Sequence, residues 1–499
     1  MRRALTAPAF ETGSQTACSV LLAGLLGLLA VRLVALALNG TDLFFDEAQY
    51  WTWSREPAFG YYSKPPLVAA LIGGAGAVCG DGTFCIRVAS PILHTVTAAL
   101  VFLIARRLYD DRVGLWSALS FATLPGVSLS SGIISTDVPL LAAWALALLG
   151  LVGLMQQRSG WAPAIALALG LGLGLNAKYA MAFFPACLAV WLLATPSARG
   201  LLRDPRLWVG LAAGLLFIAP NLAWNAAHKF ATFAHTADNA KWSGELLRIG
   251  KGFEFLAAQA AVFGPILLGG LVLTLHRGWR EGLSATDRLL VCFVVPVLAA
   301  ITAQAFVSRA HANWAATAYV AGSILVPATL LRLGHESWLK ASLGVHLAVM
   351  ALLIVGTSTA GRVRLPFGGD PFERTLGWKE LGTRTEAVLA EARAAGRPYA
   401  AVIADERAVT AELLYYLRHE ATPIKAWLSG PRPLDHYEMT RPFLADVDGP
   451  VLLVSVRQDA KRITERFMKA SEVRHEAIPA GFGKPRRVRF ITLEDYKSG

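Results

Sequence analysis

Charged residues are scarce. They make up 16% of the 499 residues, against 55% hydrophobic, and the mean hydropathy is +0.47. A chain that poor in charge is not an ordinary soluble enzyme. It also lacks a heptad run, a low-complexity stretch and any nucleic-acid-binding motif, although its formal net charge is +12. Most of the basic excess is Arg at the ends of apolar segments, where membrane topology accounts for it and nucleic acid is not needed as a partner. No small-residue cleavage site follows the first apolar run, 18–38. That run has the length of a full span, so Arg2 and Arg3 before it introduce a signal anchor that stays in the protein.

What is present is a series of apolar segments. Runs long enough to cross a bilayer, at roughly 20 residues each, fall at 18–38, 88–108, 113–133, 138–155, 161–175, 179–193, 207–224, 253–275, 289–306, 314–331 and 339–357. Threaded with the N-terminus inside, these eleven place Arg106, Arg107, Arg112, Arg158, Arg199, Arg203, Arg206, Arg277, Arg280, Arg288, Arg332 and Lys340 in cytoplasmic connections. That is the positive-inside pattern. The other side receives two long loops, 39–87 and 225–252, and the tail. Of 47 Lys+Arg and 35 Asp+Glu, 23 and 19 lie after Ala360, so the tail is charged like a soluble domain. The expected fold is therefore an all-α polytopic membrane bundle, 1–360, followed by a C-terminal soluble α/β domain, 361–499. In the tail, 399–404, 451–456 and 486–491 read as strands and 407–418 as a helix. It shows no catalytic constellation of its own.

Chemistry-bearing residues gather at the non-cytoplasmic ends of the spans. The stretch DLFFDEAQYWTWSREPAFGYYSKPP, 42–66, joins the adjacent acids Asp46 and Glu47 to Tyr50, Tyr61, Tyr62 and Lys64. A carboxylate at the interface can take a proton from a sugar or lipid hydroxyl, and aromatics suit sugar faces as well as headgroups. Read alone, the same stretch is an interfacial helix with an aromatic belt. Asp137 in SSGIISTDVP is either a second acid or part of a helix cap. Lys178 lies in NAKY. Asn225, His228 and His235 lie in PNLAWNAAHKFATFAH, and Arg309 and Asn313 in SRAHANW. Each cation alone reads as a snorkelling side chain. Gathered at one face, they suggest a site for an anionic substrate. Away from the span ends, Arg32 is the one charge inside a span, which argues against the alternative of a transporter or flippase of lipid-linked saccharides.

FFDEAQYWTWS, FGYYSKPPL, ISTDVPLL, NAKY, PNLAWN and the late SRAHANW, in that order, resemble the bacterial membrane glycosyltransferases of the GT-C fold. These include relatives of the protein O-mannosyltransferases, the aminoarabinose transferases and the lipopolysaccharide-core galacturonic acid transferases. The resemblance implies an inverting enzyme of the inner membrane with a periplasmic active site. Its donor would be a polyprenyl-phosphate-linked sugar and its acceptor a cell-envelope glycan, glycolipid or protein. Asp46 would be the catalytic acid residue with Glu47 its neighbour, and Asp137 the reserve candidate. Lys64 would sit at the donor phosphate, with Lys178 and Arg309 expected to converge there. Tyr50, Tyr61, Tyr62, Asn225, His235 and Asn313 would contact substrate. Ser63 stands where the aminoarabinose transferases carry a Glu that helps hold a metal, so no metal and no cofactor are expected. His228 and His235 are too sparse a pair to imply one, and a divalent ion is the alternative. That compartment permits a disulfide between Cys79 and Cys85 in CGDGTFC, with two free thiols as the alternative. Cys18, Cys187 and Cys292 lie in spans and are expected to stay reduced.

Overall fold

The structure, a computed structural model, describes residues 11–156, 159–240, 247–364, 370–444 and 447–497. Arg2, Arg3 and Arg158 lie outside them, as does the Cys18 side chain. Contacts divide the chain into two units. The first comprises Met1–Leu36, Val88–Ala223 and Ala237–Leu353. The second comprises Ala37–Arg87, Trp224–Thr236 and Ile354–Gly499, gathering the loop segments 37–87 and 224–236 with the tail.

The first unit is helical. Six helices among the described residues are long and apolar enough to cross a membrane: Ser19–Ala37, Thr83–Leu108, Asp137–Met155, Pro205–Ala227, Ala285–Val307 and Glu336–Ser358. Shorter apolar helices include Ala162–Ala177, Tyr179–Ala194 and Ala318–Arg332. The expected span 253–275 is not one continuous helix. It is two helices, Ile249–Phe263 and Pro265–Glu281, bent by 111°. Gly264 adopts φ +86° between them, and Pro265 opens the second helix without an amide to donate. The expected span 113–133 likewise breaks at Leu124, before Pro125, into Asp111–Thr123 and Pro125–Ser130. That break frees the Ala122 carbonyl, and the buried Arg32 guanidinium donates to it. Arg32 thus satisfies a carbonyl left open by a broken helix.

Helices Asp137–Met155 and Ala162–Ala177 meet through small residues. A Cβ at Gly170 would strike the Ala147 backbone, so the two helices can approach backbone to backbone. Elsewhere Asp287 ties three helix ends together. It accepts from the Tyr109 hydroxyl at 2.6 Å and from both Nη atoms of Arg332 at 2.8 and 3.0 Å.

The second unit holds a five-stranded sheet of order β2-β1-β3-β5-β4. Its strands are β1 Ala401–Ala404, β2 Ile424–Ala426, β3 Val451–Ser455, β4 Phe467–Ile478 and β5 Arg486–Tyr496. β1 runs parallel to β2 and β3, pairing Val402 with Leu452, and β5 runs antiparallel to β3 and β4. Every residue of β1 and β3 is buried, as apolar strands covered on both faces must be. Helices Trp378–Ala394 and Arg407–Tyr416 cover one face through Trp378, Leu381, Val409 and Leu413.

The first long loop is largely helical, with Phe45–Arg55, Leu67–Cys79 and Thr83–Arg87. Cys79 and Cys85 form a disulfide, while Cys187 and Cys292 are free. Asp42 anchors the loop to the tail. Its Oδ2 accepts from the amides of Trp378 at 2.9 Å and Lys379 at 3.2 Å, where the first turn of a helix has no backbone partner to offer. Burial pushes the Asp42 carboxyl up, and these two amides work against that.

Candidate active site

Asp46 and Glu47 are neighbours on helix Phe45–Arg55, so their side chains point about 100° apart. The structure gives them opposite surroundings. Glu47 Oε2 accepts from the Phe44 amide at 2.9 Å, satisfying a free donor at the helix start. Both its oxygens are also gripped by Arg87, Nε to Oε1 at 2.9 Å and Nη2 to Oε2 at 2.7 Å. Arg87 donates further to Thr41 Oγ1 at 3.1 Å and the Asp42 carbonyl at 2.8 Å. Both side chains of the pair are 1% exposed. Glu47 is thus a buried structural acid in this arrangement, with its lone pairs directed at protein donors.

Asp46 is 37% exposed. Its Oδ1 accepts from Arg407 Nη1 at 2.8 Å, and the same nitrogen donates to Gln49 Oε1 at 2.6 Å. The Arg407 guanidinium lies 4.9 Å from the Phe45 ring centroid. Among the described residues no donor is bonded to Asp46 Oδ2. Of the two loop acids, this one retains a free oxygen towards solvent.

The aromatics around the pair divide in the same way. Tyr61 is buried and stacks on Trp53 with centroids 4.5 Å apart, its hydroxyl donating to the Trp53 carbonyl at 2.8 Å. Tyr50 is buried, its ring 5.3 Å from that of Trp53. His436 meets Trp53 and Tyr61 edge-on, and burial pulls its imidazole down to about 3, so it is neutral. Tyr62 is only half-buried; its hydroxyl donates to the Pro433 carbonyl at 3.1 Å and its ring meets His235 edge-on at 5.4 Å. Asn225 is buried, and its Oδ1 accepts from the Thr232 amide at 3.2 Å. Lys64 closes a turn, its carbonyl accepting from the Tyr61 amide at 3.1 Å just before Pro65 and Pro66.

The first unit carries a second polar group. Asp137 Oδ1 accepts from Lys178 Nζ at 2.7 Å and Oδ2 from Asn313 Nδ2 at 2.5 Å. Asp137 is the first residue of its helix, and Thr136 before it makes no side-chain cap. Tyr179 donates to Asn221 Oδ1 at 2.7 Å beside this group in sequence. Arg309 is exposed. Among the described residues no three His, Cys, Asp or Glu side chains gather as a metal cradle.

Sequence reasoning did not find Arg87 and Arg407. Arg87 was legible in principle, because the loop 39–87 leaves and re-enters helical segments, and a buried acid at its start requires a cation. Arg407 is 361 residues from Asp46 and had no such signal.

Residues 63–224 match the family described as dolichyl-phosphate-mannose-protein mannosyltransferase. The lipid A galacturonosyltransferase RgtD of Rhizobium johnstonii is 37% identical over 431 residues, covering 86% of this chain and 89% of that protein. The undecaprenyl phosphate-alpha-4-amino-4-deoxy-L-arabinose arabinosyl transferase of Pseudomonas aeruginosa is 27% identical over 363 residues, covering 68% and 63%. The crystal structure of ArnT from Cupriavidus metallidurans bound to undecaprenyl phosphate shares the fold. It superposes with a TM-score of 0.64 at 15% identity, over 95% of this chain and 97% of that one.

Proposed function

Since the chain belongs to the GT-C glycosyltransferases, we propose that it moves galacturonic acid from a polyprenyl-phosphate carrier to lipid A at the periplasmic face of the inner membrane. Lipid-linked sugar transfer rests on the relatives just described. The sugar and acceptor follow the relative that is 37% identical. The multi-pass reading is supported by the six long apolar helices. The bent pair, the shorter helices Ala162–Ala177, Tyr179–Ala194 and Ala318–Arg332, and the broken Asp111–Ser130 stretch would bring the crossings to eleven. With the N-terminus inside, the basic connections then face the cytoplasm, and both long loops and the tail face the periplasm.

The observation that carries the mechanism is the contrast between the two loop acids. Glu47 is closed off by Arg87, while Asp46 keeps an accessible oxygen. In the proposed reaction an acceptor hydroxyl attacks the anomeric carbon from the face opposite the phosphate. The new glycosidic bond forms as the bond to the phosphate oxygen breaks, inverting the centre. The hydroxyl proton passes to Asp46, and the carrier leaves as polyprenyl phosphate. Lys64, Lys178 and Arg309 are assigned to the phosphate, whose charge grows as it leaves. Asp137 holds Lys178 by one contact, which leaves two of its three N–H donors for a ligand. Tyr62, Asn225, His235 and Asn313 are the proposed sugar and acceptor contacts. Tyr50 and Tyr61 shape the loop from within its packing.

The test is transfer by purified protein from polyprenyl-phosphate galacturonic acid to lipid A in detergent. Asp46→Asn keeps the side chain's size and removes the proton acceptor. A loss of roughly 10²- to 10⁴-fold in kcat is expected, with thermal unfolding unchanged. Near-normal turnover in this variant removes Asp46 from the mechanism. In cells, deletion followed by mass analysis of lipid A checks the sugar, and a missing galacturonic acid mass restored by the gene is the expected result.

A further inference from the structure

From the geometry around Asp46 we infer that Arg407 of the C-terminal domain is a positioning residue for the proposed base. The inference rests on the assignment of Asp46 in the preceding subsection.

Arg407 is held on both sides. It is the first residue of helix Arg407–Tyr416, whose Val409 and Leu413 are fully buried against the sheet, so its backbone has little freedom. The preceding residue, Glu406, is paired with Arg457 at 3.2 Å. From this fixed base the guanidinium crosses to helix Phe45–Arg55. There a single nitrogen bridges Asp46 Oδ1 and Gln49 Oε1, three residues apart on one helical face. The plane over Phe45 limits its rotation further. Tyr50 on the loop helix, and Asp435 and Tyr437 at the helix His436–Thr440, are the other titratable groups around it. Burial alone would lower the guanidinium's affinity for its proton. The Asp46 charge reverses that, so the cation is secure.

Two consequences follow for Asp46. Its rotamer is fixed by a bond to one oxygen, leaving Oδ2 as the proton acceptor. And the position of that oxygen is set by the packing of a domain that the membrane segments do not contain. A general base placed within a few tenths of an ångström depends on such support, since displacement by about 1 Å can cost roughly 100-fold in rate. The tail, which carries no catalytic constellation of its own, would supply this support. Its integrity and the rate of transfer are then linked through one side chain.

The experiment uses the full-length protein in detergent, with polyprenyl-phosphate galacturonic acid as donor and lipid A as acceptor. Wild type, Arg407→Gln, Arg407→Lys, Asp46→Asn and the Asp46→Asn/Arg407→Gln double variant are compared for kcat, donor KM and thermal unfolding. Arg407→Gln is expected to lower kcat roughly 10- to 100-fold, with donor KM within about twofold. Arg407→Lys keeps a cation on the same helix residue and should recover part of kcat. The double variant should be no slower than Asp46→Asn. Wild-type kcat in Arg407→Gln overturns the inference. So does a loss of kcat that comes with a lower unfolding temperature and no recovery in Arg407→Lys, which would assign Arg407 to domain packing. Activity retained in Asp46→Asn is a separate outcome. It removes the base assignment on which the inference stands.

Discussion

Glu47 and Arg87 grip each other through two hydrogen bonds of 2.9 and 2.7 Å, in a place where both side chains are 1% exposed. The pair closes the first loop on itself, joining the start of helix Phe45–Arg55 to the residue that ends Thr83–Arg87. Both partners bring further bonds, to the Phe44 amide, Thr41 and the Asp42 carbonyl, so the buried charges are fully solvated by protein.

Removing one partner strands the other. Glu47→Ala should cost about 3–5 kcal/mol of stability, the usual penalty for an uncompensated buried charge. It should lower the unfolding temperature and the yield of folded protein. A Glu47→Ala/Arg87→Met double variant should recover part of that loss, since no buried charge then lacks a partner. Activity per folded molecule in the double variant separates fold from chemistry. Substantial turnover is expected if Glu47 only shapes the loop.

The Asp137 group makes a different prediction. Lys178 and Asn313 each bond one of its oxygens, so Asp137 orients a cation and an amide together. If the ammonium then serves the carrier phosphate, Lys178→Met should weaken undecaprenyl phosphate binding roughly tenfold or more, the scale of one lost charge-assisted contact. Asp137→Asn should weaken it less, because the cation remains but loses its anchor. Direct binding of radiolabelled undecaprenyl phosphate to the purified variants measures both. Equal affinity in wild type and Lys178→Met would leave Lys178 as a partner of Asp137 alone.

How far the sequence could be read depended on the range of each interaction. The apolar segments and their basic flanks are local signals, and six of the expected crossings stand as long apolar helices. The break at Gly264–Pro265 was equally local, though masked by the uniform hydropathy on either side of it. The motif order around Asp46 carried the family. The bonds that decide what each residue does are of another kind. Asp42 bonds the amides of Trp378 and Lys379, the Leu43 amide bonds the Tyr416 hydroxyl, and Asp46 bonds Arg407. Each joins positions more than 300 residues apart, and no spacing rule spans that distance. Composition could not sort the aromatics either. A tyrosine that packs, such as Tyr61 against Trp53, and one that stays half-open, such as Tyr62, read alike in a string.

A final prediction concerns Glu412, on the helix that also carries Arg407. Its side chain is fully buried, and neither carboxyl oxygen has a hydrogen-bond partner among the described residues. Burial drives its carboxyl well above the ordinary range. The charges of Asp42 and Glu47 push the same way, and Arg486 and Arg87 offset only part of this. The folded protein therefore holds Glu412 as the neutral acid. With the folded value raised above the unfolded one, the stability tied to this proton is fully present below the unfolded carboxylate's range. It is lost as pH rises towards the folded value, because the unfolded chain gives up its proton first. Glu412→Gln keeps the shape, is neutral at every pH and removes that dependence. Thermal unfolding of the two proteins in detergent should therefore nearly coincide around pH 4, and the variant should be the more stable one at pH 8 by an amount that grows with pH. Parallel pH dependences in the two proteins would mean that the carboxyl finds a partner or water in solution and ionises there at ordinary cost.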